Sequence, residues 1–224
     1  MTAMEQWAIC KRSVTDLRRE PSSLSERVSQ VLLGEAVQVF EQAEEWSRVQ
    51  MERDGYPGWV PTAALIFTSR DEILSYQSSC KWRVMEAILP AWLKAKPTEG
   101  QELGRLPFGV RVCVVEQTGE AARVRLPDGQ LWWLASEGLL PEERWPSPTS
   151  KGIDYTLKLI QQLVGTPYLW GGRTPWGYDC AGLSAAFWEF LGIRLLRDAD
   201  QQFQQGQPVG QTQHQASAGS PARL

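Results

Sequence analysis

The sequence is poor in histidine, in cysteine and in long apolar runs. Its 224 residues include one histidine and four cysteines, none of them in a CxxC pair. Because zinc sites are built from clustered cysteine and histidine ligands, we expect no metal site, and no motif indicates a cofactor. No apolar run approaches the length of a membrane span, and the first residues lack the apolar core of a signal peptide. We therefore predict a cytoplasmic protein with reduced thiols, or a cell-wall-associated one if the natural chain begins further upstream.

An excess of charge of either sign is also missing. The net charge is −3 and the basic residues form no cluster, which argues against nucleic acid as a partner. The hydrophobic fraction of 42% and the charged fraction of 22% are ordinary for a globular protein. A chain of this length can form one large domain or two to three small ones.

Two tracts in the first two-thirds of the chain follow the same plan. Each has a strand led by glycine, a polar turn, a second strand, an Asp-Gly turn and a strand that bears tryptophan. The strand-like runs are AVQVFEQ (36–42), WSRVQME (46–52), GVRVCVVEQ (109–117) and AARVRLPDGQLWWL (121–134). Units of this size predict two small β-barrels, each marginally stable alone.

The aromatic and sulfur-bearing residues of these tracts have mainly structural interpretations. We interpret four tryptophans as barrel core in preference to a ligand-binding shelf: Trp46, Trp59, Trp132 and Trp133. Three cysteines have no charged neighbour in sequence and are interpreted as small apolar core residues: Cys10, Cys80 and Cys113.

Both tracts resemble bacterial SH3-like modules over about residues 12–141. The first tract resembles them through VTDLRREPSSLSERVSQVLLGEAVQVF and GYPGWV. The second, through RLPFGVRVCVVEQ and GQLWWLASEGLLP, is more divergent.

Helical periodicity replaces the strand patterns after the Pro- and Ser-rich segment 141–152. A first helix is predicted around Ile153 to Val164, with Ser150 as a possible N-cap. A second is predicted from Asp179, which can cap it, to Gly192. The loop between them is rich in glycine, which would let the backbone approach a molecule in a cleft: Gly171, Gly172 and Gly177.

Cys180 has two interpretations from residue chemistry alone, and these stay open at this point. It follows Asp179 at the start of the second predicted helix. The positive end of a helix dipole stabilises a thiolate, so an exposed thiol there would be a nucleophile. A buried cysteine early in an amphipathic helix is the alternative.

The segment GTPYLWGGRTPWGYDCAGL (165–183) closely resembles the NlpC-type cell-wall cysteine peptidases, a papain-like family that cleaves peptidoglycan peptides. GIRLLRDADQQF (192–203) matches the stretch that follows, with Leu196 in place of the usual proline. The resemblance covers about residues 150–209. It implies that Cys180 attacks the scissile carbonyl, that Tyr168 helps to hold the oxyanion and that Asp179 binds a free amino group of the substrate.

The same resemblance implies further substrate-binding residues: Trp170, Arg197 and Tyr56. The preceding SH3-like module points to the branch that cuts between γ-D-Glu and a diamino acid in peptides with a free N-terminal L-Ala. In that branch a tyrosine of the first module walls a subsite, and Tyr56 is the matching candidate; a simple turn residue is the alternative. Ala181 stands where the family usually has serine, which weakens that subsite.

The family also requires a histidine on a strand well after the cysteine, and here the resemblance departs. After Val209 the sequence becomes polar and low in complexity, and His214 lacks a strand context. A frameshift or premature end near residue 210 is one hypothesis. We therefore expect an inactive or weakly active chain in which Leu183, Phe187 and Phe190 remain exposed. A non-catalytic module that binds cell-wall peptides through the SH3-like pair is the alternative.

These inferences give an α+β protein with two small SH3-like barrels followed by a truncated papain-like domain. The predicted ranges are residues 1–75 for the first barrel, 76–145 for the second, 146–210 for the half-domain and 211–224 for a disordered or aberrant tail. The expected partners are peptidoglycan-derived peptides, with no nucleic acid and no membrane span.

Overall fold

The computed structural model describes residues 6–96 and 100–207. The predicted tail 211–224 and His214 lie outside these residues. The described chain forms two seven-stranded antiparallel sheets followed by a smaller, mainly helical domain. The fold class is therefore α+β, with SH3-like β domains ahead of an α+β domain, as the sequence predicts.

The two sheets have the same topology. The strands of the first are β1 (Gln6–Cys10), β2 (Val14–Arg18), β3 (Arg27–Leu32), β4 (Ala36–Ala43), β5 (Trp46–Met51), β6 (Pro57–Pro61) and β7 (Leu65–Thr68). Those of the second are β8 (Trp82–Val84), β9 (Ile88–Trp92), β10 (Glu102–Pro107), β11 (Arg111–Thr118), β12 (Ala121–Arg125), β13 (Leu131–Ala135) and β14 (Leu139–Pro141). The order β3-β2-β6-β5-β4-β1-β7 recurs strand for strand as β10-β9-β13-β12-β11-β8-β14, which agrees with the common plan of the two tracts.

Helix α1 (Arg70–Ser79) connects the two barrels. Its start is fixed by a capping box between Ser69 and Glu72, and Ile73 packs against the first barrel. The boundary predicted between residues 75 and 76 falls inside this helix.

The cores of both barrels are mainly aliphatic, and the prediction that tryptophans form them is wrong for three of the four: Trp46, Trp59 and Trp133. Side chains alternate across a strand, so in β6 the buried Gly58 and Val60 leave Trp59 on the outer face. The same alternation turns Trp46 and Trp133 outward, while Trp132 is partly buried against the second core. The cysteine prediction is confirmed, because the three are buried: Cys10, Cys80 and Cys113.

The third domain comprises residues 142–207. Its elements are α2 (Ser150–Ile160), β15 (Arg173–Thr174), β16 (Gly177–Tyr178), α3 (Cys180–Phe190) and α4 (Ala199–Gln205). Helix α2 is capped by Thr149 and not by Ser150, because the Thr149 hydroxyl accepts a hydrogen bond from the amide of Gly152.

An apolar cluster holds the third domain against the second barrel. Phe190 stacks on Phe108 with ring centroids 4.8 Å apart, and it is buried. The prediction that Phe190 stays exposed is therefore wrong, since the second barrel covers it. Leu183 is exposed, and Phe187 is half-buried.

Two searches of the described residues gave negative results. No helix in the ranges 6–96 and 100–207 is long and apolar enough to cross a membrane. Within the same ranges, no group of three or more His, Cys, Asp or Glu side chains is placed to hold a metal ion.

Candidate active site

Cys180 is the first residue of helix α3, and it is exposed, unlike the three cysteines of the barrels. Asp179 is the N-cap of the helix, and its Oδ1 accepts a hydrogen bond of 2.6 Å from the amide of Gly182. The sequence predicted this helix start because an acidic residue with a free side-chain oxygen satisfies the unpaired amides of a first turn. The arrangement places an accessible thiol at the positive end of a helix dipole.

Asp179 is buried, and both of its carboxylate oxygens are engaged. Arg197 contacts them through Nη2 to Oδ2 at 2.6 Å and Nη1 to Oδ1 at 3.2 Å. The amide of Gly171 donates to Oδ2 at 3.0 Å. Asp179 thereby connects three segments: the glycine-rich loop, the start of α3 and the bend that precedes α4.

Arg197 extends this network to the first barrel. Its Nε donates to the Ser29 hydroxyl at 3.0 Å, and both side chains are buried. Ser29 was not predicted as a site residue. A signal for it exists in the sequence, since Ser29 and Gln30 are polar residues within an otherwise apolar strand, RVSQVL.

Two aromatic residues of the loop before Cys180 are largely exposed, whereas Tyr178 is buried. Tyr168 is 66% exposed and Trp170 is 60% exposed. The Trp170 indole Nε1 donates to Glu26 Oε1 at 2.8 Å, and Arg27 Nη1 donates to the Trp170 carbonyl oxygen at 3.3 Å. The first barrel therefore fixes the position of Trp170.

The glycines of the loop serve close packing within the chain. Gly171 has φ +74°, and a Cβ there would lie 2.5 Å from the carbonyl oxygen of Arg27. A Cβ on Gly172 would lie 2.3 Å from the carbonyl oxygen of Gly177. The expectation that these glycines face a molecule in a cleft is thus corrected: their own chain occupies the space.

Tyr56 precedes β6 and reaches across to the third domain. Its hydroxyl donates to the carboxylate of Asp198, with O···O distances of 3.0 and 3.2 Å. Burial and the neighbouring Asp198 carboxylate raise the pKa of Tyr56 to about 12, so the phenol is neutral at physiological pH. The residue is therefore more than a local turn residue, although the Asp54 carboxylate also accepts from its amide.

A second set of charged contacts joins β3 and its following turn to β15. Arg173 Nη2 lies 2.9 Å from Glu35 Oε1, and Arg173 Nη1 donates to the Gln30 carbonyl oxygen at 2.7 Å. Burial raises the pKa of Glu35 to about 7 despite the nearby arginines. None of these residues was predicted from the sequence, because they are far apart along the chain.

The predicted site residues around Cys180 thus fall into two groups. Asp179 and Arg197 form one buried pair directly behind Cys180. Tyr56 joins this group through Asp198, the neighbour of Arg197. Tyr168 and Trp170 are exposed on the loop, and no hydrogen bond between either of them and Cys180 is found among the described residues. These residues also contain no histidine, since His214 is the one histidine of the sequence.

Two parts of the chain match known families. Residues 17–65 match the bacterial dipeptidyl-peptidase Sh3 domain, and residues 165–220 match the NlpC/P60 family. The chain is homologous to NlpC/P60 proteins. Because the NlpC/P60 match runs to residue 220, the expectation that the resemblance stops after Val209 is corrected.

Curated relatives span both parts of the chain. The gamma-D-glutamyl-L-lysine dipeptidyl-peptidase of Bacillus cereus is 24% identical over 214 residues, which are 92% of this chain and 63% of that protein. Dipeptidyl-peptidase 6 of Lysinibacillus sphaericus is 25% identical over 199 residues, which are 86% of this chain and 72% of that protein. This chain therefore spans less than two thirds of the length of the Bacillus cereus relative.

Solved structures agree with the fold. An NlpC/P60 family protein from Bacillus cereus superposes with a TM-score of 0.78 at 21% identity, covering 92% of this chain and 79% of the other. An NlpC/P60 endopeptidase from Photobacterium damselae subsp. piscicida gives a TM-score of 0.63 at 17% identity, covering 88% and 45%. At these identities the likeness concerns the fold alone.

Proposed function

We propose that Cys180 is the nucleophile of a cysteine peptidase site that acts on peptidoglycan peptides. The observation that carries this proposal is an exposed thiol at the first residue of α3, directly behind a buried and fully hydrogen-bonded N-cap. An exposed cysteine at a helix N-terminus is a common setting for a nucleophile that attacks a carbonyl carbon. The relatives named as dipeptidyl-peptidases support the same chemistry.

The proposed bond lies between γ-D-Glu and a diamino acid, in peptides with a free N-terminal L-Ala. Support for it comes from the Bacillus cereus relative, which is named a gamma-D-glutamyl-L-lysine dipeptidyl-peptidase. We assign Tyr168 to the oxyanion and Trp170 to the substrate cleft. Both carboxylate oxygens of Asp179 already accept hydrogen bonds within the chain. We therefore assign Asp179 the role of attracting and positioning the amino group of the substrate, and not of binding it directly.

A cysteine peptidase site needs a base that accepts the proton of the thiol, here that of Cys180. The described residues contain no histidine, and a base must lie within hydrogen-bond reach of the thiol. We therefore propose that this chain hydrolyses its substrate slowly. A peptide-binding module built on the barrels is the second candidate, favoured by the lack of an imidazole beside Cys180 in the part of the chain that the structure describes.

Two measurements test the proposal. Iodoacetamide labelling near neutral pH reports on Cys180, because the other cysteines are buried. We expect fast labelling in the wild type and its loss in Cys180→Ala. Labelling as slow as that of a free peptide thiol would favour the binding module.

The second measurement is release of L-Lys from L-Ala-γ-D-Glu-L-Lys. We expect slow release that Cys180→Ala abolishes and that N-acetylation of the peptide reduces. Release that survives in Cys180→Ala would contradict the assignment of the nucleophile. Fast release in the wild type would contradict the proposed lack of an effective base.

A further inference from the structure

A cavity of about 120 Å³ lies where the two barrels and the third domain meet. Helix α3 turns Gly182, Ala186 and Glu189 toward this cavity, whereas Cys180 and Leu183 are exposed. The cavity is thus separate from the proposed peptidase site. Its lining includes five arginines: Arg53, Arg83, Arg111, Arg173 and Arg194.

Two of these arginines are neutralised by carboxylates. Arg173 lies 2.9 Å from Glu35 and 3.9 Å from Glu189. Arg53 lies 3.0 Å from Glu189 and 3.6 Å from Glu35. The four side chains form a compact group with two positive charges and, when both carboxyls are ionised, two negative charges.

Arg83 and Arg111, from the second barrel, have no such compensation. Neither has a carboxylate within ion-pair distance among the described residues, and the nearby Glu142 pairs with Lys81 at 2.7 Å. Both guanidinium groups lie over the ring of Trp145, with Cζ to centroid distances of 4.1 and 4.9 Å. Two like charges therefore contact one aromatic ring, and both arginines line the cavity.

Arg83 is the more constrained of the two. It is 6% exposed, and its Nε is a buried donor with no hydrogen-bond partner in the described structure. Its Nη1 donates to the carbonyl oxygens of Phe190 and Glu189, at 2.9 and 3.3 Å, near the end of α3. Burial is the main cause that lowers the pKa of Arg83 to about 10; Glu189 and Glu142 oppose this shift, and Arg111 adds to it. A buried donor left unpaired is costly, so an acceptor in the cavity would be stabilising.

We propose that the Arg83–Arg111 side of this cavity binds a small dianion that carries phosphate or carboxylate oxygens. Guanidinium groups match both kinds of oxyanion through paired charge-assisted hydrogen bonds. The cavity is small beside the roughly 300–1,000 Å³ of pockets that take drug-sized ligands, so its ligand is a small anion and not a peptide. Arg194 is exposed, so the lining reaches solvent at that residue.

The test is anion binding by the full chain, with inorganic phosphate and malonate as probes and sodium chloride to keep the ionic strength constant. The readouts are the thermal unfolding midpoint and the fluorescence of the protein, which includes Trp145 beside both guanidinium groups. We expect a saturable rise of the midpoint with at least one probe, because a ligand that binds the folded state stabilises it. Response to phosphate alone identifies a phosphate site, and response to malonate alone identifies a carboxylate site.

Arg83→Gln is expected to weaken the apparent affinity about tenfold or more. The matched control is Arg123→Gln, since Arg123 also lies over a tryptophan ring, that of Trp133 at 5.7 Å, but does not line the cavity. Arg111→Gln serves as the second variant if Arg83→Gln does not fold. The proposal is overturned if neither probe binds saturably to the wild type, or if the affinity is the same in the cavity variant and in the control.

Discussion

At the scale of single residues, the site depends on one buried ion pair. Asp179 and Arg197 are both nearly inaccessible to solvent, so each charge has lost most of its hydration. Two amides and a guanidinium group satisfy the carboxylate, and Ser29 satisfies the remaining Nε of the arginine. Replacing a buried ion pair with apolar residues need not destabilise a fold. Removing only one partner is costly, because the other charge then stays unpaired in an interior of low dielectric constant.

Replacing Arg197 with methionine should therefore destabilise the protein strongly. We expect a loss of about 3–5 kcal/mol in the free energy of unfolding by urea, because Asp179 would remain buried with amide donors alone. Iodoacetamide labelling of Cys180 should change as well, since Asp179 caps the same helix.

The matched control for this change is Arg105→Met. Arg105 forms a solvent-exposed pair with Glu102 at 2.7 Å, and exposed pairs contribute little because water and salt screen them. We expect no measurable change in stability for the control. Equal effects of the two substitutions would contradict the role given to the buried pair.

At the scale of elements, the glycine-rich loop and α3 are in direct backbone contact. A Cβ on Gly182 would lie 2.1 Å from the carbonyl oxygen of Gly172, a distance that no side chain can adopt without movement of the backbone. The loop and the helix therefore have to shift together, and Cys180 is the first residue of that helix.

Gly182→Ala should separate these two elements. We expect a loss of about 1–3 kcal/mol in the free energy of unfolding, as for other overpacked sites, and an altered rate of Cys180 labelling. Gly206→Ala is the control, because a Cβ there would make only ordinary contacts of 3.4 Å and longer. If Gly182→Ala were as stable as the wild type, the backbone would have to move easily away from the added Cβ, and the close contact with Gly172 would not be rigid.

Sequence reasoning predicted elements well where local rules determine them. The start of α3 at Cys180 follows from an N-cap, and its end before Gly192 follows from a glycine with φ +83°. Turn residues and strand alternation likewise placed β4 and β5. Strand alternation also predicts that Trp59 faces outward, between Gly58 and Val60, which face the core. The large apolar indole favoured the opposite prediction, burial in the core.

The contacts that build the site could not be predicted in the same way. Ser29 meets Arg197, and Tyr56 meets Asp198, across more than half of the chain. No local pattern encodes such pairs, because they depend on how three folded units meet. Ser29 and Gln30 are a local signal, because polar side chains in a buried strand need hydrogen-bond partners from another part of the chain.

At the scale of the whole molecule, the third domain meets the two barrels through different chemistry. Against the second barrel it buries an apolar cluster around Phe108 and Phe190. Against the first it makes mostly polar contacts, among them the buried pairing of Arg173 with Glu35. The first interface should therefore respond to pH, whereas burial of apolar surface does not depend on protonation.

The pH response of the first interface should come mainly from Glu35. Its pKa is about 7 in the folded protein and 4.5 in its ordinary state, and burial is the main cause, opposed by Arg53 and Arg194 and reinforced by Glu189. Between these two values the folded state binds more protons than the unfolded state. Stability from this group is therefore present below about pH 4.5 and is lost as the pH rises through 7.

Comparison of the wild type with Glu35→Gln isolates this contribution. The free energy of unfolding of the wild type, minus that of the variant, should fall by up to about 3 kcal/mol between pH 4.5 and 8. Asp54, whose pKa is raised to about 6 mainly by burial, adds a slope of the same sign to both proteins, and it cancels only in part because Glu35 also raises the pKa of Asp54. Glu142→Gln is the control of opposite sign, because the hydrogen bond with Lys81 lowers the pKa of Glu142. The difference in the free energy of unfolding between the wild type and Glu35→Gln could instead stay constant across this pH range. In that case water would reach the Glu35 carboxylate, and the first interface would not be closed as described.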